Sequence, residues 1–254
     1  MCVHKAADAA PAGTVSPIRK TYIARLVGRC VILLWSVMLW KSSREIFGVL
    51  DGMAFFDRFS VLHLLWLIWI LDMLGQLLPM RHSISLGSQK YMSFRFQPAK
   101  RGADLAELRR YTAAVSKRAA LVFALWTCLT GTIGALFFKG ILGKVELFLV
   151  SVFFYVCDLI CVLIWCPFRL MLGNRCCTTC RIFNWDHLMM FSPLIFVGGF
   201  FALTLVALAV VVFVLWELSV WKHPERFWEQ TNGALKCAAC TDKLCTQYCG
   251  KHRR

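Results

Sequence analysis

Apolar runs long enough to cross a lipid bilayer dominate this chain. A membrane-spanning helix needs about 20 mostly apolar residues, because a helix rises about 1.5 Å per residue and the hydrocarbon core is about 30 Å thick. Four such runs occupy residues 26–47, 59–79, 119–138 and 145–166, although charged residues interrupt the first of them. Since 59% of all residues are hydrophobic and 17% are charged, little sequence remains for a soluble domain. The sequence therefore predicts an all-α polytopic integral membrane protein.

A fifth apolar run extends from His187 to Trp221 and permits two topologies. It is too long for one simple crossing and short for two, and Gly198-Gly199 favours a turn in its first half. As one tilted helix, the run would divide the lysines and arginines into 17 on one side and 12 on the other. As a short hairpin or re-entrant pair, it would divide them into 24 and 5. Because basic residues collect on the cytoplasmic side, this second division favours six segments with both termini cytoplasmic, and five segments are the alternative.

The segments around the apolar runs complete a predicted helical bundle of five or six transmembrane segments. In the largest loop, apolar and polar residues alternate over 83–97, which predicts a small hairpin. Asp104 followed by Glu107 resembles a capping box and predicts a helix that continues into the third apolar run. The predicted units are a polar basic leader (1–25), two membrane segments (26–79), a basic cytoplasmic loop (80–118), a membrane hairpin (119–166), a cysteine-containing loop (167–187), the long apolar segment (188–221) and a cysteine-rich tail (222–254).

The chain carries a formal net charge of +15, which in a soluble protein would suggest a nucleic-acid partner. In a membrane protein, such charge is typical of cytoplasmic loops that contact anionic lipid. No nucleic-acid recognition motif accompanies it. We therefore expect the lipid bilayer, and not nucleic acid, as the partner. A prokaryotic protein of this composition is expected in the plasma (inner) membrane.

Seven of the 13 cysteines form two groups with the spacing of metal ligands. Cys177 and Cys180 form one C-x-x-C unit, Cys237 and Cys240 form another, and two such units complete a tetrahedral set. The four cysteines of the tail also resemble a compact iron–sulfur motif, although their spacing departs from that of ferredoxins. We therefore expect a cytoplasmic site for an iron–sulfur cluster or zinc. Its predicted ligands are Cys176, Cys177, Cys180, Cys237, Cys240, Cys245 and Cys249.

Two other interpretations of the cysteines stay open at this point. An exported tail, which five membrane segments would require, favours disulfide bonds, and a cytoplasmic one also permits redox-active thiols without a metal. The remaining cysteines are expected to pack as small apolar residues. Cys157 and Cys161 share a helix face and Cys166 follows them, so a ladder of thiols leading to the cytoplasmic groups is a further alternative.

Ionisable residues inside the apolar runs are the other candidate functional groups, because a charge in the membrane is costly. Asp158 lies in the middle of the fourth run and is predicted to be a proton relay. His63 and Asp72 lie nine residues apart in the second run, on nearly opposite helix faces. His187 follows the first cysteine group and is expected to anchor the chain at the interface, with metal ligation as the alternative.

Thiols near an intramembrane acid favour a membrane redox component. It would pass electrons to a membrane acceptor, such as a quinone, or to a partner protein or subunit. One alternative is a transporter or channel with a structural zinc clasp, in which the intramembrane ionisable residues line a path. Another is an assembly subunit without chemistry. Phosphate-loop, nucleophile-elbow and H-E-x-x-H motifs are absent from the sequence, which therefore assigns no enzymatic reaction.

Overall fold

The computed structural model of this protein describes residues 16–57, 59–77, 91–92, 95–99, 104–174, 176–236, 240 and 244. Over these ranges the chain is helical and forms no β-strand, which confirms the all-α class. Short 3-10 helices and turns connect the α-helices. The α-helices are α1 (Pro17–Ser42), α2 (Val61–Leu77), α3 (Leu105–Phe138), α4 (Lys144–Leu163), α5 (Pro167–Leu172), α6 (Asp186–Phe191) and α7 (Gly199–Lys222).

Within the described residues, four helices are long and apolar enough to cross a membrane: α1, α3, α4 and α7. Helix α2 is also apolar but has 17 residues, so it spans about 26 Å. Helix α1 begins well before the predicted start at residue 26. Pro17 suits the first helical position, and the Ser16 hydroxyl accepts a hydrogen bond from the Arg19 amide.

Helix α3 begins where the capping pattern predicts. The Asp104 carboxylate accepts a hydrogen bond from the Ala106 amide, and the helix continues without a break to Phe138. The hairpin predicted over residues 83–97 falls largely outside the described residues. Where that segment is described, the amides of Arg95 and Phe96 both donate to the Met92 carbonyl oxygen, which is the pattern of a turn.

The long apolar run is a broken hairpin and not one helix. Helix α6 passes into the 3-10 helix Ser192–Phe196, and the chain then reverses at Gly198 and Gly199, which have φ angles of 70° and 74°. These angles lie in the left-handed region, which glycine adopts without strain. A Cβ atom on Gly199 would lie 2.9 Å from the Gly52 nitrogen. The turn therefore packs directly against the connection between α1 and α2.

An aromatic cluster holds this hairpin against α2 and α4. Trp69 is fully buried, and its ring lies 5.0 Å from that of Phe191, 5.7 Å from that of Tyr155 and 6.0 Å from that of Phe148. Aromatic groups of this size supply much of the apolar contact in a core. The packing brings α6, which is only six residues long, deep among the longer helices.

The segment after α7 folds back onto the helices at the end where α4 and α7 terminate. Phe227 stacks on Tyr91 at 4.6 Å, and Trp228 stacks on Tyr111 at 5.0 Å. Further along, Leu244 is 3% exposed and packs in a cluster with Leu163 of α4. The described part of the tail therefore lies at the end of the bundle that also carries residues 164–185.

Candidate functional site

A buried arginine connects α1 to two neighbouring helices. The Arg29 side chain is 9% exposed, and its Nη1 donates to Asp158 Oδ2 at 2.7 Å and to the Tyr155 carbonyl oxygen at 2.6 Å. Its guanidinium also covers the Tyr155 ring, 3.8 Å from the centroid. On the α2 side, Nη2 lies 3.8 Å from Asp72 Oδ2. One cation from α1 therefore contacts carboxylates of both α4 and α2.

The start of α6 extends this arrangement into a buried polar network. His187 is 1% exposed, with Nδ1 3.1 Å from Asp186 Oδ1 and Nε2 3.5 Å from Asp72 Oδ2. Gln76, one turn after Asp72 on α2, donates from Nε2 to Asp186 Oδ2 at 3.1 Å. The short helix α6 places both of its polar residues here because its apolar side is held by the Trp69 cluster. We call Arg29, Asp72, Gln76, Asp158, Asp186 and His187 the polar network.

The charges of the polar network balance when its neighbour Arg25 is included. Three carboxylates face Arg29 and His187, and Arg25, four residues before Arg29 on α1, also acts electrostatically on Asp72. Both His187 nitrogens lie beside carboxylates, which favours the doubly protonated ring because both nitrogens are then donors. With that ring charged, three positive groups face three carboxylates. Because buried charges require such partners, the network fixes how α1, α2, α4 and α6 pack together.

The predicted ionisable residues separate into two groups in the structure. Asp158 and Asp72 belong to the polar network, whereas His63 does not. The His63 ring lies at the start of α2, where Nδ1 accepts from the Ser60 amide at 3.0 Å and Nε2 lies 2.8 Å from the Phe55 carbonyl oxygen. The expectation that His187 anchors the chain at an interface is wrong, because this side chain is buried among helices.

Sequence reasoning did not single out Arg29 or Gln76. Arg29 lies within the first apolar run, and an ionisable residue in such a run is itself a signal of function. Gln76 carries no comparable signal, since one neutral amide near the end of a helix is common. Its contact with Asp186 joins residues 110 positions apart, which only the folded chain brings together.

A second feature is a cluster of thiols at the end of α4, which we call the thiol group: Cys161, Cys166 and Cys177. Cys166 precedes α5, and its sulfur accepts a hydrogen bond from the Arg169 amide at 3.4 Å. The Cys166 sulfur also has side-chain hydrogen-bond contacts with Cys161 and Cys177. Cys177 lies on a 3-10 turn, and its thiol donates to the Cys161 carbonyl oxygen at 3.1 Å.

The hydrogen bonds of the thiol group affect the acidity of its members. Side-chain hydrogen bonding with Cys161 and Cys177 holds the pKa of Cys166 well below its ordinary value. The hydrogen bond with Cys166, followed by burial, raises the pKa of the Cys177 thiol. Cys180 lies apart from these bonds, and burial raises the pKa of its thiol to about 12. Because the Arg169 amide also donates to its sulfur, Cys166 is the member best suited to be a thiolate.

The predicted metal ligands are only partly covered by the structure. Cys176, Cys177, Cys180 and Cys240 lie within the described residues, whereas Cys237, Cys245 and Cys249 lie outside them. Within the described part of the chain, no group of three or more His, Cys, Asp or Glu side chains has the geometry of a metal site. The seven-cysteine metal site therefore stays a prediction. Two cysteines expected to be inert, Cys161 and Cys166, instead contact one of the predicted ligands.

No family model matches this chain, and no curated protein or solved structure is significantly similar to it.

Proposed function

We propose that this protein is a membrane-embedded redox component whose reactive groups are Cys161, Cys166 and Cys177. The observation that supports this most directly is the contact of the Cys166 sulfur with two other thiols. Thiols held in contact exchange readily between the reduced and disulfide forms, since the attacking sulfur is already next to its target. This proposal keeps the redox function expected from the sequence but moves its centre to the end of α4.

We also infer that the chain has six membrane segments, of which the fifth and sixth form the broken hairpin, with both termini in the cytoplasm. The reversal at Gly198-Gly199 supports this topology, because it returns α7 to the side from which α6 begins. The distribution of lysine and arginine, with 24 on one side, supports the cytoplasmic orientation of that side. The thiol group would then face a reducing compartment, in which free thiols persist.

The proposed reaction joins Cys166 and Cys177 in a disulfide. Two thiols lose two electrons and two protons, and a quinone that accepts both becomes a quinol, so that atoms and electrons balance. The Cys166 thiolate would add to the quinone ring and form a sulfur–carbon bond. The Cys177 sulfur, losing its proton, would then attack the Cys166 sulfur, so that the disulfide forms, the sulfur–carbon bond breaks and its electron pair leaves with the quinol, which takes up two protons. A quinone is the acceptor class that we favour, because it dissolves in the bilayer in which α4 is proposed to lie.

Asp158 is suited to handle a proton in this reaction. It lies three residues before Cys161 on α4, so the two side chains are neighbours on the helix surface. Through Arg29 the Asp158 carboxylate is connected to the remainder of the polar network. A proton released by a thiol therefore has a carboxylate within one helical turn.

A redox titration with thiol counting tests the proposal. Purified protein would be equilibrated with mixtures of reduced and oxidised dithiothreitol, and the free thiols would be labelled with maleimide and counted by intact mass. We expect the wild type to lose two thiols in a single two-electron step. Cys166→Ser should abolish that step, whereas Cys128→Ser, an exposed cysteine of α3, should retain it. Retention of the step in Cys166→Ser would contradict the assignment.

A cysteine-ligated zinc or iron–sulfur site is the second candidate. The burial of Leu244 beside Leu163 favours it, because this contact brings the cysteine-rich tail to the end of the bundle that carries the thiol group. Metal analysis and an absorbance spectrum of protein purified without oxygen decide between the candidates. Iron with acid-labile sulfide would indicate electron transfer through a cluster and a partner subunit. One zinc per chain without colour would indicate a structural clasp.

A further inference from the structure

Two adjacent residues of α7 hold Arg181, which lies four residues after Cys177. Trp216 Nε1 donates to the Arg181 carbonyl oxygen at 2.9 Å. The Arg181 guanidinium donates to both oxygens of the Glu217 carboxylate, from Nη1 to Oε1 at 2.7 Å and from Nη2 to Oε2 at 2.6 Å. A forked arginine–carboxylate pair of this kind restricts orientation as well as position. Arg181 is therefore fixed to α7 through both its backbone and its side chain.

A further contact joins the same carboxylate to the start of the broken hairpin. Trp185 Nε1 donates to Glu217 Oε1 at 2.8 Å, so Glu217 binds the loop at two places. The Arg181 side chain is 8% exposed and that of Glu217 is 32% exposed. Water weakens partly buried polar contacts less than it weakens surface ion pairs, so these contacts order the chain more strongly. The segment that follows Cys177 is thus anchored on α7.

A short turn connects this anchored segment to Cys177. The Cys180 amide donates to the Cys177 carbonyl oxygen at 3.0 Å, and Arg181 follows directly. On the opposite side, the Cys177 thiol donates to the Cys161 carbonyl oxygen near the end of α4 at 3.1 Å. Cys177 therefore lies between α4, which leads to Cys166, and the contacts that α7 makes with Arg181.

We propose that Arg181 and Glu217 are positioning residues that hold Cys177 against Cys166. This inference rests on the proposed redox function, because it assigns to the pair the task of keeping two reacting sulfurs together. A loop that is held in place raises the effective concentration of one thiol at the other, which favours the disulfide over the two separate thiols. The two residues act through the position of Cys177 and need no part in bond formation.

The test measures the equilibrium in which the two thiols and oxidised dithiothreitol give the protein disulfide and reduced dithiothreitol. Glu217→Gln should lower the equilibrium constant for the disulfide about tenfold, which corresponds to a reduction potential about 30 mV more positive. Glu229→Gln is the matched control, because Glu229 is exposed beyond α7, and it should leave the constant unchanged. Gly134→Ala controls for a general loss of stability. It disturbs the contact of α3 with Phe196, so it should lower the melting temperature but not the constant.

A decrease of the constant in Glu217→Gln that neither control shares would support the proposal. An unchanged or larger constant in folded Glu217→Gln protein would overturn it, as would an equal decrease in Gly134→Ala, and the redox proposal would stand in both cases. Absence of the two-electron step from the wild type would instead overturn the redox proposal and this inference with it.

Arg181→Lys replaces Glu217→Gln should the latter fail to fold. Lysine keeps the positive charge but loses the forked pair, so the constant should fall about threefold. An unchanged constant in Arg181→Lys would overturn the positioning role equally.

Discussion

Replacing Arg29 by methionine should destabilise the folded protein strongly. Methionine keeps the length of the side chain but removes the hydrogen bonds to Asp158 and to the Tyr155 carbonyl oxygen. It also leaves the Asp158 carboxylate, whose side chain is 18% exposed, without its closest cation. Removing one partner of a buried ion pair costs about 3–5 kcal/mol. We expect a loss of that size in the free energy of unfolding of Arg29→Met.

The double variant Arg29→Met/Asp158→Asn separates the ion pair from the other contacts of the arginine. It has no unpaired charge at position 158, so the losses are the bond to the Tyr155 carbonyl oxygen, the ring contact and the longer contact with Asp72. Those contacts contribute about 1–3 kcal/mol together. The double variant should therefore be more stable than Arg29→Met by about 2 kcal/mol. The coupling energy between the two charged residues is this difference plus the loss of stability measured in Asp158→Asn alone.

Reversible unfolding in mixed detergent and dodecyl sulfate micelles gives the free energies for this cycle. The four proteins are the wild type, the two single variants and the double variant. Arg110→Met is the matched control, because Arg110 is exposed on α3 and its loss should change stability by less than about 0.5 kcal/mol. Additive losses, with the double variant less stable than either single variant by the full sum, would refute the proposed pairing of α1 with α4.

Two pairs of glycines provide the remaining predictions. Gly134→Ala should lower the free energy of unfolding by about 1–3 kcal/mol, because its Cβ would lie 2.4 Å from the Phe196 ring. At Gly131 a Cβ would meet open space, so Gly131→Ala should leave the stability unchanged or raise it by up to about 1 kcal/mol. Gly199→Ala should destabilise more than Gly198→Ala: both have positive φ, but only at Gly199 would a Cβ meet the backbone of the preceding connection. The melting temperatures of the four variants check which member of each pair is destabilised more. Equal melting temperatures within a pair would contradict the Cβ contacts on which that prediction rests.

The helices themselves follow from local sequence. Apolar run length predicts α2, α3 and α4 closely, and Asp104 predicts the start of α3. The glycine pair predicts the reversal in the fifth run, because positive φ angles are a property of the residue and not of its neighbours. These features depend on residues near one another in the chain, so the sequence contains the information directly.

The sequence also indicated that the acidic residues inside the apolar runs are candidate functional groups. It could not show which of them come into contact in the folded chain. Asp72 and Asp158 lie on different helices, and neither lies within two turns of a basic residue of its own helix. Arg29 joins them from a third helix, 129 residues from Asp158. The expectation for His187 failed for the same reason, since nothing local shows that α6 is drawn in among the longer helices.

The amino-acid sequence by itself determined the helical class, the apolar segments, the reversal at Gly198-Gly199 and the supply of thiols and buried acids. Only the tertiary structure decided that Arg29 and His187 meet the carboxylates, and that Cys161 and Cys166 meet Cys177. The physical reason is that segment identity depends on hydrophobicity and backbone preference, which are properties of short stretches. Pairing of charges and sulfurs instead depends on which helix faces pack together, and that is set by the whole arrangement of aromatic and apolar side chains.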